Sequence, residues 1–187
     1  PDGPWTRMDH PLIDVSPSGW DSLITTNPTV TATPDGRFLM VYKAAGPGAQ
    51  RTGRVVHGVA FADSPLGPFQ KCPDPVFTHT EADFPAEDPY VWHQDDRYYA
   101  ILKDMQGVFT KAGKSLALFA SPDGIAWRLA EHPLASTLEI PWAGGDPEPV
   151  KRLERPQLYI ENGRPAVLFC AVTPVTPADH SFNVHIP

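Results

Sequence analysis

Glu87-Asp88-Pro89-Tyr90-Val91-Trp92, a turn at Gln94-Asp95-Asp96, and Arg97-Tyr98-Tyr99-Ala100-Ile101-Leu102-Lys103 make up the stretch that decides the fold. Two runs rich in aromatic and β-branched residues flank a short polar turn, which reads as a β-hairpin. After a loop the chain continues as Ser115-Leu116-Ala117-Leu118-Phe119-Ala120 and closes with Ser121-Pro122-Asp123-Gly124. The same order occurs upstream: Thr26-Asn27-Pro28-Thr29-Val30-Thr31, a turn at Pro34-Asp35-Gly36, the strand Arg37–Lys43, then Val55–Ala62 and the closing Asp63-Ser64-Pro65. It occurs again downstream as Glu154-Arg155-Pro156-Gln157-Leu158-Tyr159, a turn at Glu161-Asn162-Gly163, the strand Ala166–Ala171, and Ser181–Ile186.

The three X-Pro openings stand roughly 60–70 residues apart, and each leads into strand, tight turn, strand, loop, strand and usually a last strand. Self-similarity on that scale with four strands per unit is the pattern of a β-propeller blade. A β-sandwich would show turn signals, with no reason to repeat the opening, hairpin and closing in order. The 23 prolines and 14 glycines fall between apolar runs, as turn punctuation does in an all-β chain, and oppose long helices. The expected fold is all-β, with blades at about 20–72, 84–132 and 150–187. Three blades cannot close a ring. At roughly 60 residues per blade a five-bladed ring needs about 300, so two further blades are expected, mostly upstream of Pro1. The chain starts Pro1-Asp2-Gly3 with no initiator Met, so its natural N-terminus and any targeting signal are expected to lie outside it.

The 187 residues are 41% hydrophobic, enough for a real core, and carry a formal charge of -7. That balance argues against a nucleic-acid surface or an acidic membrane face, and no apolar run reaches the ~18 residues of a membrane span. A soluble protein handling a neutral ligand fits. Cys72 and Cys170 read as buried thiols, and neither has a histidine at zinc-ligand spacing.

In a propeller the innermost strand of each blade lines a central channel, and its first residues present side chains to a shared pocket. The candidates are therefore Asn27, Glu87 with Asp88, and Glu154 with Arg155. Carboxylates converging from two blades suit glycosidic cleavage, which needs one protonated and one ionised, and close approach separates their pKa values. Lys103 and Asp104 form a polar pair at the end of an apolar strand, read as a sugar contact or a solvent-facing ion pair. Arg155 could clamp the sugar or ion-pair with Glu154 and lower its pKa. Trp92, like Trp20 and Trp142, could stack on a sugar face, although core packing is the commoner use. His57, His93 and His185 read as structural or channel-lining, with no metal or cofactor inferred.

These openings resemble those of the family 43 glycoside hydrolases, which are five-bladed propellers. Their third blade typically starts Ile-Asp-Pro, where this chain has Glu87-Asp88-Pro89, and their fourth Glu-Gly-Pro, where it has Glu154-Arg155-Pro156. The resemblance implies Glu154 as general acid and Asp88 as the aspartate that tunes its pKa and orients the sugar. The family's general base is an Asp at the start of the first blade. No residue here matches it, and Asn27 holds the second-blade position, where an amide cannot act as base. Glu87 for Ile and Arg155 for Gly are departures. The resemblance implies a glycosidase acting on a plant or algal oligosaccharide or polysaccharide, usually inverting, with retaining family 32 relatives as the other stereochemistry. No nucleic-acid or membrane partner is expected, and a periplasmic or extracellular place is favoured over the cytoplasm. The alternatives are a non-catalytic sugar-binding propeller and a family 130-like glycoside phosphorylase, which would need Arg, Lys and His around a phosphate.

Overall fold

The structure, a computed structural model, describes residues 2–48, 53–177 and 180–187; positions 1, 49–52 and 178–179 lie outside the described residues. Among the described residues there is no helix, and three four-stranded antiparallel sheets follow one another along the chain. Sheet I contains β1 (Ile24–Ala32), β2 (Phe38–Ala45), β3 (Val55–Ala62) and β4 (Gln70–Lys71), paired in chain order. Sheet II repeats this with β5 (Ala86–Gln94), β6 (Arg97–Asp104), β7 (Ser115–Ser121) and β8 (Arg128–Ser136).

Sheet III departs from that pattern. Its strands are β9 (Glu139–Ile140), β10 (Glu148–Glu161), β11 (Arg164–Pro174) and β12 (Phe182–Ile186), in the order β12-β11-β10-β9. The short β9 pairs with the start of β10, Ile140 opposite Glu148 and Glu139 opposite Pro149, on the edge that the first strand leaves free in the other two sheets.

The hairpins form where turn chemistry places them. Asp95 and Asp96 have φ of 49° and 60°, and Asn162 and Gly163 have 51° and 77°. Positive φ at both central residues is what a two-residue hairpin requires. The Asp95-Asp96 turn reaches it without glycine, because short polar side chains tolerate the left-handed region.

Alternation along the strands places the core between the sheets. Leu39 and Val41 of β2 pack with Val91, Ala100, Leu102, Ala117 and Phe119 of sheet II. The intervening Met40 and Tyr42 face the other way, against Trp20, Leu12 and Ile13 of the N-terminal segment. In sheet II, Trp92, Ile101 and Leu116 point to the opposite face and pack with Val150, Leu153, Cys170 and Val172 of sheet III. The sheets therefore stack face to face, sheet I on sheet II on sheet III, and β1, β5 and β10, the strands that carry the X-Pro openings, are neighbours in space. Tyr159 and Phe169, on the outer face of sheet III, are 53% and 44% exposed. Cys72 and Cys170 are both free thiols.

Gly58 on β3 is demanded by packing. A Cβ there would lie 2.3 Å from Tyr42 Cζ and 2.6 Å from Trp20 Cη2, inside the stack those two rings make. Overpacking of this kind costs about 1–3 kcal/mol. Gly58→Ala is therefore expected to lower the unfolding free energy measured in urea by that amount, with no change in the β content of the circular dichroism spectrum.

Candidate active site

The three X-Pro openings share one local structure. In β1, β5 and β10 the pairing register slips at the opening: between Thr26 and Thr29, between Glu87 and Tyr90, and between Glu154 and Gln157. The residue before each proline is left-handed, with φ of 46° at Asn27, 50° at Asp88 and 54° at Arg155. A β-bulge re-aims the side chains around it, and here it does so at the same point of three adjacent strands. Asn and Asp accept positive φ readily; Arg does so at a cost. That backbone gives a physical reason for glycine in the family motif at the place of Arg155.

The bulges sort the openings into two rows. Glu87 and Glu154 are equivalent, as are Asn27, Asp88 and Arg155. In the first row, lysines from the second strands reach to the next sheet. Lys43 pairs across sheet I with Thr26, and its Nζ donates to Glu87 Oε1 of sheet II at 3.0 Å. Lys103 occupies the equivalent place opposite Glu87 on sheet II, and its Nζ donates to Glu154 Oε1 of sheet III. Lys103 also lies 3.9 Å from Glu87 Oε2, which closes an alternating ladder Lys43–Glu87–Lys103–Glu154 across three sheets. In the second row, Asn27 Nδ2 donates to Asp88 Oδ1 at 3.0 Å, and Arg155 approaches the same oxygen at 3.9 Å. Glu87, Lys103 and Glu154 border a cavity of about 320 Å³.

Most of the expected site residues are thus brought together, and two are not. Trp92 is buried in the core between sheets II and III, stacked on Tyr99 at 5.4 Å, with its Nε1 donating to Gln94. It is a packing residue and not a sugar platform. Asp104 is fully buried and faces its own loop. It accepts from the backbone N–H of Val108 at 3.0 Å and of Phe109 and Thr110 at 2.9 Å each, so neither oxygen is left for a sugar. Its role is to shape the β6–β7 loop. Trp20 stacks on Tyr42, and Trp142 packs near Phe182 in the sheet II–III core. His57 is fully buried with neither ring nitrogen bonded, and burial with the nearby Lys43 charge brings it down to about 3, so it is neutral.

Lys43 was not among the expected site residues. The signal for it was present, since it ends the second strand of its repeat as Lys103 ends the next. The cavity's remaining polar residues, Lys114, Lys151 and Arg152, sit in segments that the repeat does not align.

The environment separates the two carboxyl groups, in the opposite sense to the roles the resemblance implies. Burial first, then the Glu87 charge, raises Asp88 above the ordinary 3.8, and Arg155, Asn27 and Lys43 only partly offset this. Burial also works to raise Glu154, but the Lys103 hydrogen bond and charge, with Arg152 and Arg155, outweigh it and hold Glu154 below 4.5. In the unliganded site Asp88 keeps its proton more readily, and Glu154 is the ionised partner.

The sequence matches no protein-family model and no curated protein. Solved structures do match in fold. Zg3597, a family 117 glycoside hydrolase of the marine bacterium Zobellia galactanivorans, has a TM-score of 0.64 at 20% identity over 98% of this chain and 47% of its own. A second glycoside hydrolase has a TM-score of 0.64 at 18% identity, over 95% and 50%. The endo-arabinase of Bacteroides thetaiotaomicron has 0.58 at 15%, over 89% and 57%. This chain therefore spans about half the length of those structures and shares its fold with glycoside hydrolases. At these identities the likeness is one of fold and does not establish family 43.

Opposite shifts give opposite pH dependences. The folded pKa of Asp88 lies above that of the unfolded chain, so its contribution is most favourable below 3.8 and is lost as pH rises through the folded value. For Glu154 the folded pKa is depressed, so its contribution is in place above 4.5 and is lost as pH falls. Asp88→Asn is expected to raise the denaturant midpoint at pH 7 relative to wild type, with the gain shrinking toward pH 3. Glu154→Gln should lower the midpoint at pH 7, with the loss closing over the same acid range.

Proposed function

We propose that this chain carries part of the active site of a five-bladed β-propeller glycoside hydrolase, with its three sheets as successive blades. The fold shared with glycoside hydrolases supports this reading, as does the partly exposed apolar face of sheet III, which further blades would cover in a closed ring. The observation that carries it is the bulge repeated at three strand openings, which gathers Glu87, Lys103 and Glu154 from two sheets around one cavity beside Asp88.

The chemistry is hydrolysis of a glycosidic bond. The acid gives its proton to the bridging oxygen, the bond from that oxygen to the anomeric carbon breaks, and water adds to the carbon. The water's proton passes to a base, which we place on an Asp at the opening of an upstream blade. Glu154 is the donor in this reading. Its bond to Lys103 must be exchanged for one to the glycosidic oxygen when substrate enters, which moves its pKa up in the complex. Asp88 orients the sugar and, next to Glu87, adds to the local carboxylate field.

The Lys103–Glu154 ion pair is also the observation that favours the second reading, a sugar-binding propeller in which Glu154 stays ionised and nothing is cleaved. The full-length protein decides between them. As general acid, Glu154→Gln should slow cleavage of unactivated oligosaccharides by about 10²–10⁴-fold and much less for aryl glycosides, whose leaving group needs no proton. If Asp88→Asn shows that leaving-group dependence instead, the proton donor is Asp88. Glycan binding with no cleavage across a broad substrate panel would establish the binder.

A further inference from the structure

Four of the 15 lysines and arginines of this acidic chain meet at one cavity. Lys103, Lys114, Lys151 and Arg152 line it against only Glu87 and Glu154, in a protein of net charge -7. The ladder already satisfies both carboxylates: Lys43 and Lys103 hold Glu87, and Lys103 holds Glu154. Among the described residues, Lys114 and Lys151 make no ion pair and no side-chain hydrogen bond to other cavity groups. Arg152 acts on Glu154 only through its charge. Among those residues, three cations therefore border the cavity with no anion of their own.

Their placement is built into the fold. Asp104 ties down the β6–β7 loop through Val108, Phe109 and Thr110, and the Thr110 hydroxyl lies 2.7 Å from that of Ser115, next to Lys114. On the other wall the β10–β11 register slips between Val150 and Arg152, which makes Lys151 the extra residue of a bulge. Successive strand residues ordinarily point to opposite faces, and the bulge is what lets Lys151 and Arg152 border one cavity. The Val150 N–H to Leu138 carbonyl bond, 2.8 Å, holds the start of β10 against the β9 segment.

We infer that the glycan bound here carries an anionic group, a carboxylate, sulfate or phosphate, next to the sugar that Glu154 serves. Lys114, Lys151 and Arg152 are its recognition residues. The inference rests on the glycosidic reading and proposes a charged ligand in place of the expected neutral one. Lys114, Lys151 and Arg152 are exposed at the rim of this cavity, where they can form charge-assisted hydrogen bonds to an oxyanion and draw an anionic ligand in most strongly at low salt.

The test is binding and turnover by the full-length protein on two panels: uronic-acid oligosaccharides and sulfated oligosaccharides, each with its carboxyl-reduced or desulfated counterpart. The charged member is expected to bind at least tenfold more tightly at low ionic strength, with the preference shrinking as salt rises. Lys114→Ala with Lys151→Ala should remove the preference while binding of the neutral counterpart stays unchanged. The two panels tell a carboxylate from a sulfate. Equal binding of charged and neutral members would overturn the inference and leave the glycosidic reading standing. No binding of any glycan would remove that reading itself. If sugar release instead consumes inorganic phosphate and yields a sugar phosphate, the cations serve a phosphate co-substrate, and the inference of a charged glycan falls.

Discussion

One backbone constraint organises this molecule: the left-handed residue that interrupts β1, β5 and β10 immediately before a proline. A β-strand sends successive side chains to opposite faces, so an unbroken strand could present only every second residue to its neighbours' openings. The bulge at Asn27, Asp88 and Arg155 breaks that alternation at one level in three sheets. Face-to-face stacking of the sheets then places the three openings side by side. Core packing and site geometry are therefore one problem here. The apolar residues that alternate along β2 and β6 fix the distance between sheets, and that distance determines which polar side chains at the openings can touch.

Electrostatics is arranged on that frame. Burying a charge costs free energy unless a partner and hydrogen bonds offset it. Lys103 is nearly buried and sits between two carboxylates, whereas Asp88 is nearly buried with one amide bond and a distant guanidinium. The different partners push the two carboxyl groups apart in proton affinity, which is what acid–base chemistry at one pH requires. The direction of the split differs from the roles implied by family resemblance. The reason is local: Lys103 is within bonding reach of Glu154 and not of Asp88. A ligand that competes for Lys103 would change the balance.

Much of the architecture could be read from the order of residues. Turn chemistry at Pro34-Asp35-Gly36, Asp95-Asp96 and Asn162-Gly163, with apolar runs on either side, specifies hairpins through local steric preferences that need no tertiary information. Repetition of opening, hairpin and closing specifies three sheets. The fourth strand of sheet III was not legible. Two residues, Glu139 and Ile140, have no periodicity to detect, and they pair with β10 only because the chain crosses back toward the openings after β8. Trp92 and Asp104 show a further limit. Each stands close to the openings in sequence, yet Trp92 turns into the core between sheets and Asp104 into its own loop, and side-chain direction at a strand end depends on register.

By itself the sequence determined that the chain is all-β, that its sheets repeat, that carboxylates stand at two of the strand openings and an asparagine at the third, and that lysines end the second strands of two repeats. These are local facts, carried by φ preferences, alternation and proline. Only the tertiary structure decided which of those residues meet. It paired Lys43 with Glu87 and Lys103 with Glu154 across sheets, set Asp88 between Asn27 and Arg155, and brought Lys114, Lys151 and Arg152 from unaligned segments to one cavity. Contacts between residues far apart in sequence depend on sheet stacking and bulge register, and neither is encoded within any single strand.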